Sequence, residues 1–233
     1  MKFAIIAAGE GSRLANEGVK SPKPLIQLQG VPIIERLVKI FMRNNASSIS
    51  IIINRQQPQT QELLQKLQER YPINLVIEDT PSSMHSLHAL APHLAGEEKF
   101  CLTTVDTLFK EDEFARYIAL LQDFDGDGIM AVTDYIDDEK PLYVDTDSAL
   151  RITAFSDKRN PGNRYISGGI YGLSPRALQT LARCIEQGEA RMRNFQRALI
   201  ADGFNLKAHP FGKIIDIDHA DDIAKAEKFL AEE

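Results

Sequence analysis

Tryptophan is absent from this chain, and cysteine occurs only twice, as Cys101 and Cys184. Two thiols far apart in sequence match no metal-ligand spacing and build no disulfide framework. A reduced, cytoplasmic setting is therefore expected. An excess of positive charge is also lacking: 27 Lys and Arg face 33 Asp and Glu, for a net charge of −6. General nucleic-acid binders are usually basic, so that class is set aside. No apolar run approaches the ~20 residues that span a bilayer. The opening stretch from Met1 to Ala8 is apolar, but Gly9-Glu10-Gly11 follows at once, too soon for a secretory core and its cleavage site. Neither a nucleic acid nor a membrane is an expected partner. The five histidines, at 85, 88, 93, 209 and 219, form no H-E-x-x-H pattern. Ser83, His85 and Ser86 are close in sequence, but closeness alone makes no triad.

What is present fits an ordinary globular chain of 233 residues with 43% apolar content, enough for a sizeable core. Phe3 to Ala7 is a continuous apolar run ending near glycine, the pattern of a strand buried in a mostly parallel sheet. A helix is expected from Pro32 to Asn44, a strand at Ile49 to Ile53, a helix at Gln59 to Arg70 and a strand at Ile73 to Ile77. A helix from Met84 to Leu94, broken or ended near Pro92, and a strand from Phe100 to Val105 complete an alternation typical of right-handed βαβ units. After residue 125 strands dominate, at Gly128 to Thr133, Leu142 to Asp145, Leu150 to Phe155 and Tyr165 to Tyr171. Helices return at Pro175 to Glu186 and Arg191 to Asp202, then strands at Phe204 to Ala208 and Lys213 to Ile215. A last helix begins near His219. No repeat or linker interrupts the chain. It reads as one α/β domain over 1–233, with a nucleotide-binding half (1–125) and an acceptor-binding half (126–233).

Four segments carry candidate chemistry. Ala7-Ala8-Gly9-Glu10-Gly11-Ser12-Arg13-Leu14 follows the first strand directly. Small residues let the backbone approach a ligand, and successive amides can form an anion nest. The carboxyl end of a parallel strand is where open α/β sheets bind ligands. The loop is not a Walker A sequence, and Leu14 stands where a dinucleotide fingerprint needs its third glycine. Taken alone it could be a plain glycine turn.

Ser21-Pro22-Lys23-Pro24-Leu25 brackets one lysine between prolines, which fixes the backbone and leaves the side chain to reach. With Arg13 and Lys20 it concentrates cations in an acidic protein, which suits a triphosphate. Asp106, at the end of a strand, is placed to hold Mg²⁺ through one oxygen and waters; alone it could be a turn aspartate. Ile214-Ile215-Asp216-Ile217-Asp218 precedes the last helix, and strand alternation puts Asp216 and Asp218 on one face. Asp218-His219-Ala220-Asp221 also has the form of a helix N-cap with an acid three residues on. Asp218 is then mainly a cap, and Asp216 the better metal ligand.

Together these segments resemble the nucleotidyltransferases that include sugar-1-phosphate and phosphocholine pyrophosphorylases. The resemblance rests on the loop from Ala7 to Leu14 followed by Pro22-Lys23-Pro24-Leu25 at the family's spacing. It continues through Asp106, Phe155-Ser156-Asp157-Lys158, Gly169-Ile170-Tyr171-Gly172-Leu173 and the stretch from Asp216 to Ile223, covering nearly the whole chain. It implies a Rossmann-like three-layer sandwich with a mixed, mostly parallel sheet, the nucleotide-diphospho-sugar transferase fold. It also implies a reaction in which a phosphate oxygen of a small phosphorylated acceptor attacks the α-phosphorus of a nucleoside triphosphate and pyrophosphate leaves.

By the same resemblance Mg²⁺ is held by Asp106 and Asp216, with Asp218 as a further ligand. Arg13 stabilises the pyrophosphate, Lys23 contacts the α-phosphate region and Lys158 holds the acceptor phosphate. Ala7, Ala8, Gly9, Gly11, Ser12 and Ser83 contact the nucleotide. Arg164, Arg191 and Arg193 could meet a second acidic group on the acceptor, or be solvated.

The chain departs from the sugar enzymes in Val105-Asp106, where many have Gly-Asp, and in lacking a Trp before the last aspartates. Thr80 to Leu87 is closer to the N-x-x-S-L segment of phosphocholine cytidylyltransferases than to G-T-A. Sugar-1-phosphate is the leading acceptor class. A phospho-alcohol cytidylyltransferase and a molybdopterin-type nucleotidyltransferase are alternatives within the class. A non-catalytic nucleotide sensor is the alternative outside it, and the presence of Arg13, Lys23, Asp106 and Asp216 together favours an enzyme.

Overall fold

The computed structural model describes residues 1–137 and 140–232. The opening apolar run forms β1 (Lys2–Ala7), and the glycine-rich loop leads into a short helix, α1 (Ser12–Asn16). A 3₁₀ turn at Lys23–Leu25 and a small hairpin of β2 (Gln27–Leu28) and β3 (Val31–Pro32) follow. Alternation then gives α2 (Ile33–Arg43), β4 (Ser48–Ile53), α3 (Pro58–Gln68), β5 (Ile73–Ile77), α4 (Ser83–Leu94) and β6 (Phe100–Thr104). Next come β7 (Thr107–Leu108), α5 (Glu111–Asp123), β8 (Gly128–Thr133), β9 (Tyr143–Thr146), β10 (Ile152–Ser156) and β11 (Tyr165–Leu173). The chain closes with α6 (Ala177–Glu186), α7 (Met192–Ala201), β12 (Leu206–Phe211), β13 (Ile215–Asp216) and α8 (Ala220–Ala231).

The short α1, β2, β3 and β7 lie outside the expected elements, and so does one long helix, α5. Its signal is nonetheless present: Glu111, Asp112 and Glu113 fill the first turn, and Phe114, Tyr117, Ile118 and Leu121 are buried at helical spacing. Acids at a helix start suit its dipole, and that apolar spacing makes one continuous stripe.

The central sheet runs in the order β10-β9-β11-β6-β1-β4-β5, with β8 on the other side of β11 and β12 beyond β8. The pairs β1–β4, β1–β6, β4–β5 and β8–β12 are parallel, whereas β11 runs against β6, β8 and β9, and β10 against β9. All strands of this sheet but β10 and β11 therefore share one direction, which is the mixed, mostly parallel sheet expected.

Alternation along β1 explains the three layers. Phe3, Ile5 and Ala7 face a core built with α2, α3, α5 and α8, whereas Ala4 and Ile6 face a second core built with α4, α6 and α7. Burial on both faces is why β1 is a continuous apolar run.

Strand β11 shifts register against β8 between Ser167 and Tyr171, at Gly168-Gly169. Gly169 takes φ 73°, a left-handed conformation that glycine adopts at little strain. Across this irregularity β11 exchanges neighbours: Tyr165 and Ile166 pair with β9, and Ile170 to Leu173 pair with β6. A β-bulge of this kind bends a strand and re-aims it. Here it lies beside the carboxyl end of β6.

Candidate active site

Strand β1 delivers Ala7 to the sheet's carboxyl edge, and the loop beyond it turns at Gly11, whose φ of 63° is left-handed. The loop forms one wall of a cavity of about 540 Å³. Lys23 and Pro24 add a second wall, Thr80 to Ser83 and Ser86 a third, and Thr104 to Asp106 the floor. Ala7, Ala8, Gly9, Gly11, Ser12 and Ser83, all expected to contact nucleotide, line it together. Ser83 opens α4, where Ser82 is the N-cap and accepts from the His85 amide. Thr80 and Ser86 share a hydroxyl hydrogen bond of 2.6 Å.

Asp106 is held at a strand crossing. Thr107 and Asp216 pair where β7 meets β13, and the Ile217 amide donates to the Asp106 carbonyl at 3.1 Å. The chain ends of β6 and β13 thereby bring Asp106, Asp216 and Asp218 to one edge. Their partners differ. The Lys23 Nζ donates to Asp106 Oδ2 at 2.7 Å and to Asp218 Oδ1 at 2.7 Å. Arg13 meets the other oxygen, Asp218 Oδ2, at 3.1 Å. Asp216 Oδ1 instead accepts from the Thr107 hydroxyl, which also shares a hydrogen bond with Thr104.

Strand alternation was expected to give Asp216 and Asp218 one common face. However, β13 ends at Asp216, so alternation does not extend to Asp218. The helix cap also falls one residue later than expected. His219 is the N-cap of α8, and Asp222 Oδ2 accepts from the amides of His219 and Asp218. Asp218 is thus relieved of capping, and its carboxylate is turned to Lys23 and Arg13.

The electrostatics follow from this packing. The Lys23 side chain is only 13% exposed. Burial opposes its charge, but Asp106 and then Asp218 outweigh burial, and its pKa is raised. Burial also works against the Asp106 charge, and the Lys23 ammonium overcomes it to hold the carboxyl below the usual aspartate range. Glu17, just after α1, accepts from the Ala220 amide at 2.6 Å and contacts His219 Nδ1 at 2.6 Å. The glycine loop and the start of α8 are therefore joined at two points, Arg13–Asp218 and Glu17–His219.

A second cavity of about 380 Å³ opens on the far side of this ion network. Arg13, Tyr135, Gly168, Asp216, Asp218 and Lys225 are among its walls. The Lys23–Asp218 bridge thus connects a wall of one cavity to a wall of the other.

Not every expected residue is brought in. Lys158 is exposed in the turn after β10 and lines neither of these cavities. Its neighbour Asp157 pairs with Arg193 and Arg197. Arg164 pairs with Asp134, and Lys20 is exposed. Several contributors were not singled out from sequence: Asn54, Gln57, Thr104 and Thr107 behind the loop and floor, and Tyr135 and Lys225 in the second cavity. Asn54, Thr104, Thr107 and Tyr135 are polar residues at or next to strand ends, whereas Gln57 caps α3 and Lys225 lies within α8.

Residues 3–201 match the family model described as the MobA-like NTP transferase domain. The chain belongs to this family. Relatives of this NTP transferase domain include a choline-phosphate cytidylyltransferase of Streptococcus pneumoniae, 31% identical over 42% of this chain and 40% of that protein. A 2-aminoethylphosphonate cytidylyltransferase of Lancefieldella rimae is 34% identical over 33% of this chain and 29% of its own length. A mannose-1-phosphate guanyltransferase of Schizosaccharomyces pombe is 25% identical over 78% of this chain and 52% of that protein. The chain spans at most about half the length of these curated relatives.

Among solved structures, the inositol-1-phosphate CTP transferase from T. maritima superposes with a TM-score of 0.82 at 17% identity, covering 99% of this chain and 95% of that one. A Bacillus anthracis chain assigned as a glucose-1-phosphate thymidylyltransferase gives 0.86 at 18% identity, covering 98% and 94%. At these identities the likeness establishes the fold. No helix among the described residues is long and apolar enough to cross a membrane.

Proposed function

We propose that this NTP transferase domain joins a nucleoside triphosphate to a small phosphorylated acceptor and releases pyrophosphate. The observation that carries the reading is the Lys23–Asp218 bridge between two cavities of about 540 and 380 Å³. A two-substrate transfer needs two pockets meeting at one charged point, where the α-phosphate would sit. The first cavity falls within the ~300–1,000 Å³ common for small-molecule sites.

No covalent enzyme intermediate is needed. The acceptor's phosphate oxygen forms the new P–O bond as the bond to pyrophosphate breaks, so the protein's task is to align groups and neutralise charge. Lys23 would move from its carboxylates to the α-phosphate region. Arg13, on a half-exposed side chain, would steady the departing pyrophosphate. Lys158, which lies outside both cavities here, would have to be drawn in by the acceptor's phosphate, and the loop backbone would hold the base and ribose.

The donor set fits Mg²⁺ of a particular kind. Among the described residues, no three or more His, Cys, Asp or Glu side chains are grouped to hold a metal unaided. Two carboxylate oxygens do converge on one cationic point, Lys23 Nζ. Mg²⁺ is commonly bound by one or two carboxylates with substrate phosphates completing its shell. Asp106 and Asp218 would hold it, with Asp216 beside them, and it would supply charge neutralisation at the phosphates.

The experiment is a pyrophosphate-release screen with Mg²⁺ and with EDTA. It crosses five nucleoside triphosphates with sugar-1-phosphates, phosphocholine, 2-aminoethylphosphonate, inositol-1-phosphate and molybdopterin. Turnover with a sugar-1-phosphate or a phospho-alcohol supports the proposal and names the acceptor. Tight nucleotide binding with no turnover on any acceptor would favour a non-catalytic sensor instead.

A further inference from the structure

We infer that Asn54 and Gln57 are positioning residues that aim the nucleotide loop's amides into the first cavity. Asn54 follows the carboxyl end of β4 and Gln57 opens α3, both behind the loop, and each is buried with 7% exposure. The Asn54 Nδ2 donates to the Ala8 carbonyl at 3.1 Å. The Gln57 Nε2 donates to the Ala7 carbonyl at 3.4 Å and the Gly9 carbonyl at 3.2 Å. Three successive carbonyls of the loop are thus held from one side by two side-chain amides.

The consequence follows from peptide geometry. In a planar trans peptide the C=O of one residue and the N–H of the next point in opposite directions. Drawing the carbonyls of Ala7, Ala8 and Gly9 toward β4 and α3 turns the amides of Ala8, Gly9 and Glu10 the other way. Those three residues line the cavity. Without the clamps a glycine-rich loop has many competing conformations, because glycine restricts the backbone least.

The clamps are themselves fixed. Asn54 Oδ1 accepts from the Gln56 amide at 3.0 Å, which leaves its Nδ2 facing the loop. Gln57 is the N-cap residue of α3, just before Pro58, so its backbone is set by the start of a helix. Its Oε1 is buried without a hydrogen-bond partner among the described residues. An orphaned buried acceptor costs stability. An apolar side chain would avoid that cost, so the position is tolerating a penalty to keep its Nε2 on the loop.

This inference rests on the reading of the first cavity as a nucleotide site, and the test separates the two. Nitrogen-15 amide spectra and calorimetric titrations are recorded for wild type, Gln57→Met and Asn54→Ala with CTP, GTP, ATP, UTP and dTTP. In wild type, at least one nucleotide should shift the Ala8, Gly9 and Glu10 amide resonances. In both variants those resonances should move before any nucleotide is added, and the Kd should rise tenfold or more. The acceptor's KM should stay within twofold.

Gln57→Met keeps the size of the side chain without its donor, and Asn54→Ala acts on a different peptide plane, so one fold-specific failure does not decide the result. A wild type that binds a nucleotide, with variants whose loop amides and Kd are unchanged, overturns the positioning role alone. Variants that weaken the nucleotide and the acceptor equally, with all amides displaced, overturn it too, since that marks general loss of structure. A wild type that binds none of the five overturns the nucleotide reading and this inference together.

Discussion

The ammonium of Lys23 stands 2.7 Å from a carboxylate oxygen of Asp106, a residue 83 positions further along the chain. The same nitrogen reaches Asp218, 195 positions away, at 2.7 Å. One lysine thereby bridges two carboxylates that would otherwise repel each other at the edge of two cavities.

Lys23→Met should lower kcat/KM about 10- to 100-fold, the effect of losing a charged hydrogen bond of ~1.5–3 kcal/mol at the phosphates. The same change removes the cation that lies between Asp106 and Asp218. Electron paramagnetic resonance of Mn²⁺ without nucleotide should therefore show tighter binding in the variant than in wild type. Weaker Mn²⁺ binding in Lys23→Met would contradict the assignment of the two carboxylates as shared metal ligands.

Lys158→Ala should raise the acceptor's KM about tenfold or more, as expected when one charged contact to a phosphate is lost. The nucleotide KM should not change. Steady-state kinetics with each substrate varied separately decide this; a loss confined to nucleotide affinity would assign Lys158 to the other substrate. Its exposed position predicts an unchanged melting temperature.

Asp222 makes acid stability testable. Burial opposes its charge, but Lys225 and the amides of His219 and Asp218 outweigh burial and lower its pKa below the usual aspartate value. Because the folded pKa lies below the unfolded one, the ionised carboxylate stabilises the fold above the unfolded value of ~3.9. That contribution is lost as pH falls through the folded pKa. Asp222→Asn keeps an acceptor oxygen but removes the charge, so it should be less stable than wild type at pH 7 by about 0.3–1 kcal/mol, the usual size of an acidic group's interaction with a helix N-terminus. The two melting curves should converge at the acid end, and a difference that stays constant with pH would exclude the ionised cap.

Gly169→Ala tests the bulge. A non-glycine residue in the left-handed region costs about 1–2 kcal/mol. A Cβ at this position would also lie 2.9 Å from the Thr107 hydroxyl, which holds Asp216. The melting temperature should drop by about 2–4 °C per kcal/mol lost. Turnover should fall further than stability alone explains, because the Thr107 hydroxyl that meets Asp216 is displaced. A variant with wild-type melting and turnover would show that the bulge tolerates a side chain.

Much of this protein was readable in its sequence wherever the signal was local. A continuous apolar run fixed β1 as a strand buried on both faces, and the loop after it is found lining a cavity. Helix α5 carries local signals of the same kind, an acidic first turn and an apolar stripe. The halves of the chain were legible as strand–helix alternation and then a strand-rich stretch, because hydrophobic period depends only on neighbours.

Long-range matters were decided by tertiary structure. That Lys23 meets Asp218 while Asp216 is engaged by Thr107 depends on β13 pairing with β7 and on α8 beginning at His219. That Asn54 and Gln57 lie behind the glycine loop depends on β4 lying beside β1 in the sheet. Sequence spacing specifies which side chains are available and on which local element. Which of them share a hydrogen bond is set by strand order and register, through contacts between residues that only the folded sheet brings together.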